Sequence, residues 1–176
     1  MTLSDFANIA EIVGAVAVVV SLVYVAIQLR QNTESVRSAT LQANTALWST
    51  LLSGLAEPGI VEAYATGLSG RKDISRLQYT QFFLLCRGVF AAFENQHYQF
   101  RTGVLDEDTY QGYERAISEQ LLAFPGFRIW WEQSRSVFSP AFVTHVDEMI
   151  RDTPVATTDR YFEQWQAFPR GQDTSG

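Results

Sequence analysis

The residue types and spacing that come closest to a reactive site are those of Glu94 and His97, three positions apart in FENQHYQF. On a helix this spacing puts a carboxylate and an imidazole on one face, as in four-helix proteins that bind a pair of metal ions. Such a site requires a second Glu and His pair, and the sequence offers only His145 followed by Glu148, in the reversed order. The requirement for a paired-metal site is therefore only half met.

A buried polar cluster is the other interpretation of the same segment. In that cluster Glu94, Asn95 and Gln99 hydrogen-bond neighbouring helices, and His97 is a satisfied residue of the core or of a cleft. We favour this interpretation, and we expect no metal ligand and no cofactor-binding residue.

No other motif in the sequence indicates catalysis. There is no glycine-rich phosphate loop, no paired cysteine motif, no zinc-protease helix and no nucleophile turn around a serine. Asp106 and Asp108 are explained as charges at the start of a helix. Cys86 is the single cysteine and lies in the apolar run FFLLCRGVF, which predicts a small buried side chain. We therefore expect no catalytic residue and a protein that is not an enzyme.

The composition limits the kinds of partner. With 176 residues the chain has room for one domain and an anchor. The formal charge is −6, and no run of Lys or Arg is present. Because phosphate binding depends on clustered basic side chains, we expect no nucleic-acid partner.

An uncharged apolar run, IVGAVAVVVSLVYVAIQL, extends from Ile12 to Leu29. At about 1.5 Å per helical residue it spans about 27 Å, which is close to the thickness of a hydrocarbon core. A cleaved signal peptide needs a basic start, whereas the preceding segment carries Asp5 and Glu11 and no Lys or Arg. A buried helix of a soluble core is a third interpretation, for which the run is long. We predict a single-pass transmembrane anchor over residues 1–29, with the lipid bilayer as its surroundings.

The flanks of the apolar run predict its orientation. Arg30 and Arg37 follow the run, and the residues before it are acidic. Under the positive-inside rule the domain after the anchor lies in the cytoplasm, and the N-terminus faces the periplasm or the exterior.

Small residues form one line along the predicted anchor. Ala7, Ala10, Gly14, Ala17 and Ser21 recur at alternating spacings of three and four, which places them on a single seam of the helix. Such a seam lets another helix backbone approach closely, which is the main source of packing energy between transmembrane helices. The other interpretation is that alanine is simply common in such helices. We predict that this seam contacts a partner.

The rest of the chain is predicted to form a helical domain over residues 30–168, followed by a disordered tail over residues 169–176. No Gly or Pro interrupts residues 15–53, so we expect the anchor to continue into the domain as one long helix. Apolar residues that include Leu77 and Leu84 fit a 3.6-residue period in a central helix that Asp73 is expected to cap and that ends at Gly103. Other helices are expected from Pro58, from Asp106, through FRIWWEQSRSVF, from Pro140 and over residues 158–168. No strand-like alternation competes, and the predicted fold class is all-α.

Two adjacent tryptophans give the domain its clearest contact hypothesis. We expect that Trp130 and Trp131 do not both face the same core, so one of them lies at an edge or against a partner. Burial of the pair under the C-terminal segment is the alternative.

The runs FENQHYQFRTGVLDEDTYQGY, PGFRIWW and FSPAFVTHVDEMI, with an anchor that ends in SLVYVAIQLRQNT, resemble a group of bacterial membrane-anchored proteins of unknown function. The resemblance covers nearly the whole chain, from the anchor through about Ile150. It implies a bacterial inner-membrane location, and it transfers no activity and no site residue.

Together these patterns predict a non-enzymatic interaction protein. Its anchor would dock on a transmembrane helix, either of a second copy or of a larger membrane complex of the photosynthetic or respiratory type, and its domain would cover that complex. One alternative is a membrane-tethered enzyme or metal-binding bundle centred on Glu94 and His97. Another is a sensor or defence effector that oligomerises in the membrane.

Overall fold

The computed structural model describes the backbone of residues 3–157 and 160–168, and the side chains of Asn8 and of those residues from Glu11 onward. The described residues form seven α-helices and no strand, which confirms the predicted all-α fold. The helices are α1 (Leu3–Leu55), α2 (Pro58–Ser69), α3 (Arg76–Arg101), α4 (Glu107–Ile117), α5 (Pro125–Ser134), α6 (Pro140–Asp152) and α7 (Arg160–Ala167). A π-helical turn (Ser118–Leu122) follows α4, and a 3₁₀ turn (Arg135–Val137) follows α5.

The chain divides into two compact units, Met1–Ala43 and Asn44–Gly176, and helix α1 contributes to both. Over Glu11–Leu55 helix α1 is long and apolar enough to cross a membrane, and none of its most apolar 18-residue window is buried in the chain. The expected long N-terminal helix is thus present. The anchor limit at residue 29 stays a prediction, and the predicted tail over 169–176 lies outside the described residues.

Helix starts in the second unit follow local sequence signals. Pro58 and Pro140 occupy the first turns of α2 and α6, as predicted. Proline lacks a backbone N–H, but in the first turn of a helix that N–H would have no partner within the helix, so nothing is lost. The Asp106 carboxylate accepts a hydrogen bond from the Thr109 N–H at 2.9 Å and caps α4.

The predicted cap of α3 is wrong. Asp73 pairs with Arg71 instead, and Ser75 is the N-cap residue. The Ser75 hydroxyl accepts from the Gln78 N–H at 3.2 Å, while the Gln78 side chain accepts from the Ser75 N–H at 3.1 Å. This capping box satisfies two backbone donors at once, which a lone aspartate two residues earlier does not.

Phe90 of α3 lies at the centre of the core. Its fully buried ring is 4.6 Å from that of Phe127, 5.6 Å from that of Trp130 and 5.5 Å from that of Trp131 (centroid to centroid). Leu77 and Leu84, which share the predicted apolar period of α3, lie on its exposed side instead.

The expectation that the two tryptophans cannot share one core is wrong. Trp130 is 2% exposed and Trp131 is 0% exposed. Helix α5 is short and covered on several sides, so both indoles are enclosed: they share Phe90 and Phe138 as neighbours, and Trp130 also packs on Phe83. The Trp131 indole N–H donates to the Asp147 carboxylate at 2.8 Å, which satisfies its polar end. Burial rules out both indoles as a surface for a partner.

Helices α2 and α5 cross with almost no space between them. A Cβ atom built on Gly126 would lie 1.7 Å from the Gly67 carbonyl oxygen, and one built on Gly67 would lie 2.2 Å from the Phe82 ring. Glycine at position 126 therefore permits the crossing of α2 and α5, and glycine at position 67 leaves room for the Phe82 ring of α3.

Candidate functional site

Two histidines far apart in sequence meet at one tyrosine hydroxyl. The Tyr110 oxygen lies 2.8 Å from His97 Nδ1 and 2.8 Å from His145 Nε2. His145 Nε2 also lies 2.9 Å from Glu114 Oε1. The two imidazole rings stack with their centroids 4.5 Å apart. We call these four residues the imidazole–phenol cluster.

Three helices position the imidazole–phenol cluster. His97 comes from α3 and His145 from α6, while Tyr110 and Glu114 lie four residues apart on α4 and therefore share a face. Stacking of the Tyr110 ring on Phe100, at 4.3 Å between centroids, fixes the phenol between the helices. His97 is only 9% exposed, so the cluster is a buried polar contact inside the domain.

The geometry determines which groups donate. A carboxylate only accepts, so the His145 Nε2 that faces Glu114 carries a proton. Tyr110 then accepts from His145 and donates to His97 Nδ1, which is the acceptor nitrogen of a neutral imidazole. Because the phenol and the carboxylate approach the same nitrogen of His145, the ring cannot pass a proton from one to the other as the histidine of a catalytic triad does.

Burial sets the charge states of the cluster. The pKa of His97 is lowered to about 4, first because burial disfavours the imidazolium and then because of His145 and Arg101 nearby, with Glu94 opposing the shift. Burial also raises the pKa of the Tyr110 phenol, and Glu114 adds to that rise. Both groups are therefore neutral near pH 7, which suits a structural contact between helices.

The structure assigns Glu94 and His97 to separate contacts. The Glu94 carboxylate accepts from the Ser139 N–H at 2.7 Å, just before α6, whereas His97 faces Tyr110. His97 is thus a satisfied core residue, as favoured above. Gln99 accepts from the Asn44 amide at 3.0 Å and links α3 to α1. Across the described part of the chain, no group of three His, Cys, Asp or Glu side chains comes together as metal ligands.

Sequence reasoning did not identify Tyr110 as the partner of both histidines, or Glu114 as a partner of His145. A signal was available, because the chain has only two histidines and TYQGYE places Tyr110 and Glu114 on one face of a helix capped by Asp106. Cys86 is buried, as predicted, and burial raises the pKa of its thiol, which disfavours the reactive thiolate.

An apolar cavity of about 240 Å³ opens in the second unit. The last turns of α1 contribute Trp48 and Leu52, α2 contributes Tyr64, and α4 contributes Tyr113. The rings of Trp48 and Tyr113 stack with centroids 6.4 Å apart. We call this space the Trp48 cavity.

The π-helical turn forms one wall of the Trp48 cavity, through Gln120 and Leu121. The Tyr64 hydroxyl donates to the Gln120 carbonyl at 3.3 Å, and burial raises the pKa of Tyr64 to about 12. Single π-helical turns interrupt the regular hydrogen-bond ladder and occur frequently at functional sites. The π-helical turn and the cavity beside it make this region a second candidate site of the domain.

Comparisons with protein families, curated proteins and solved structures find no match to this chain.

The described residues of the small-residue seam are open to contact. A Cβ atom built on Gly14 would meet nothing within 4 Å, and Ala17 and Ser21 are exposed. The Ser21 hydroxyl donates to the Ala17 carbonyl at 2.8 Å, so it is satisfied within the helix. The side chains of Ala7 and Ala10 lie outside the described residues. Contact of the seam with a partner stays a prediction.

Proposed function

We propose that the chain is a single-pass membrane protein that acts as a non-enzymatic accessory subunit of a larger membrane complex. The observation that carries this proposal is the helix segment 12–29, whose side chains are all exposed and include no charge. An exposed apolar surface of this length is stable only against lipid or another protein.

The segment also meets the requirements of a hydrocarbon environment. All its residues lie within α1, so their backbone groups are paired inside the helix, and the Ser21 hydroxyl is paired as well. Its first charged neighbour on the C-terminal side, Arg30, forms an ion pair with Glu34 at 3.2 Å. With Arg37 it supports placing the domain on the cytoplasmic side of a bacterial inner membrane.

The small-residue seam supports docking on a partner helix within the membrane. Gly14, Ala17 and Ser21 leave a shallow line where the backbone of a second helix can approach. Val19, by contrast, lies on the opposite side of the helix from that line. The partner is a transmembrane helix of a photosynthetic or respiratory assembly, or of a second copy.

The domain offers a second contact surface on helix α3. Leu77, Leu84, Ala91 and Tyr98 are exposed and lie at seven-residue intervals, which places them along one line of the helix. Leu84 is 64% exposed. This line replaces the Trp130 and Trp131 surface that burial rules out.

A mild-detergent pull-down of the tagged chain from its own membranes tests the proposal. We expect a larger membrane complex in stoichiometric amounts with the native chain, and at least about tenfold less of it with Gly14→Leu, because a leucine would block backbone approach. Val19→Leu is the matched control, since it adds bulk off the seam and should leave recovery unchanged.

Two results would contradict the proposal. Recovery of the chain as a monomer without partners would remove the accessory-subunit function. Equal recovery with Gly14→Leu and Val19→Leu would show that the seam makes no contact.

A further inference from the structure

A line of mainly apolar residues runs along α1 beyond the small-residue seam. Its members are alternately four and three positions apart, which places them on one side of the helix. They are Val25, Leu29, Asn32, Val36, Ala39 and Ala43, and all six are exposed. Leu29 is 63% exposed and Val36 is 49% exposed. We call these six residues the stalk line, and none of them belongs to the small-residue seam.

The charges of this part of α1 all avoid the stalk line. Between residues 22 and 43 the charged residues are Arg30, Glu34 and Arg37. Glu34 lies on the opposite side of the helix, and each arginine follows a member of the stalk line by one position, which turns it outward. Arg30 pairs with Glu34 at 3.2 Å on that outer side. A second helix with the same sequence can therefore approach the stalk line without bringing like charges together.

The part of α1 that follows the apolar segment lacks a packing partner within its own unit. All side chains of residues 30–43 are exposed except that of Thr40, which is partly buried. Isolated helices of this length are marginal in water, because most helical stability in proteins comes from packing of one face. The single ion pair of Arg30 with Glu34 adds little to it. A neighbouring helix against the stalk line would supply the missing packing.

We propose that the stalk line pairs with the stalk line of a second copy of this chain, in a parallel two-stranded coiled coil. This pairing rests on the proposed membrane span, because two copies inserted in one membrane with the same orientation hold their helices parallel and at the same height. Asn32, the one polar member, then faces the Asn32 side chain of the second copy. An amide both donates and accepts hydrogen bonds, so the two amides satisfy each other across the twofold axis. A single asparagine in such a seam fixes the register and the number of helices.

A second copy fits the stalk line better than an unrelated helix does. The line is self-complementary, with apolar residues above and below one amide and with every charge turned outward. Pairing through it leaves the exposed line of α3 for the larger membrane complex. The unit that docks on that complex is then a pair of chains.

Cysteine cross-linking of the full chain in its own membranes tests the pairing. Ala39→Cys places a thiol on the stalk line, and Ser38→Cys places one on the outer side as the matched control. Facing residues of a coiled coil come within the Cα separation of about 5.5 to 6 Å that suits a disulfide, so we expect mild oxidation to give at least about tenfold more cross-linked dimer with Ala39→Cys. The unchanged chain gives the background, because Cys86 is fully buried. Equal cross-linking of the two variants would overturn the proposal.

A charge on the stalk line tests the same contact without relying on the thiol. Val36→Arg in the Ala39→Cys chain sets two arginines against each other in a desolvated seam, and we expect at least about a tenfold loss of cross-linked dimer. Ser38→Arg in the same chain adds an equal charge on the outer side and should leave the cross-link unchanged. A cross-link that Val36→Arg does not weaken would overturn the proposal.

Two further readouts separate failure of this pairing from failure of the proposed function. Retention of each variant in alkaline-washed membranes is measured first, and release of the native chain would remove the membrane span and the pairing with it. A retained chain with no preferred cross-link at Ala39→Cys overturns the pairing alone. Mass spectrometry of the cross-linked band should find only this chain. A different protein joined to Ala39→Cys would overturn the second copy as the partner and leave the accessory-subunit function standing.

Discussion

A single hydroxyl, that of Tyr110, joins side chains from three helices of the domain. It can fill this role because a phenol donates one hydrogen bond and accepts others, whereas each imidazole offers one nitrogen here. His97 and His145 lie 13 and 35 residues from Tyr110 in sequence. Local spacing therefore singled out Glu94 and His97, which belong to the same helix, and did not indicate the contact that His97 makes.

The buried His97 makes stability depend on pH. Its pKa is about 4 in the folded domain, against about 6.5 for an unfolded histidine, so between these values the unfolded state binds the extra proton. Stability is therefore full above pH 6.5 and falls as the pH falls towards 4, by up to about 3 kcal/mol. Urea unfolding of the full chain in nanodiscs at pH 7 and pH 4.5 measures this loss.

His97→Gln is the control for that measurement. Glutamine keeps a hydrogen-bonding side chain for Tyr110 and cannot be protonated, so its loss of stability between pH 7 and pH 4.5 should be smaller by about 2 kcal/mol. The same loss in both proteins would assign the pH dependence to other groups.

At the scale of elements, helices α2 and α5 cross in close contact at Gly126. Gly126→Ala would force a Cβ atom against the Gly67 carbonyl, which is backbone and cannot rotate away. We expect a loss of about 3 kcal/mol or more in the free energy of unfolding, measured by thermal unfolding. Gly112→Ala is the matched control: it lies within α4 with nothing within 4 Å, and should stabilise by about 0.5 to 1 kcal/mol. Similar destabilisation by both changes would show that the close approach at Gly126 is not the cause of the loss.

The first residue of a helix could be predicted where one residue determines it. It could not be predicted where two nearby residues were both candidates for the N-cap. Pro58, Pro140 and Asp106 begin helices because each has a single local effect. Ser75 begins α3 because it forms a reciprocal pair with Gln78, which outweighs the nearby Asp73. The π-helical turn after α4 has no sequence signature of its own, so a regular helix was expected there.

At the scale of the whole molecule, the apolar segment 12–29 is the part of the chain that we predict to anchor the domain in a membrane. Val19→Arg would place a charge near its middle at a cost of about 2.5 to 3.5 kcal/mol in a membrane. We expect alkaline washing to release this variant from membranes while the native chain stays bound. Val36→Arg adds the same charge beyond the segment and should stay bound. Release of both variants or of neither would contradict the assigned span.

Fold class was predictable from the sequence because helical periodicity and the absence of strand alternation act over the whole chain. The packing of Trp130 and Trp131 was not, since it depends on how many sides of α5 are covered. The Trp48 cavity was likewise beyond sequence reasoning, because it arises where four helices and the π-helical turn fail to fill the space between them.

The burial of Trp130 and Trp131 has an optical consequence. Two of the four indoles lie in an apolar core, so the folded domain should emit at short wavelength and shift to the red when the core is exposed to water. Trp165 in α7 is 65% exposed and accessible to iodide, so its quenching reports on the C-terminal helix separately. The purified chain thus contains its own fluorescent reporters, and unfolding of its core can be followed without an attached dye.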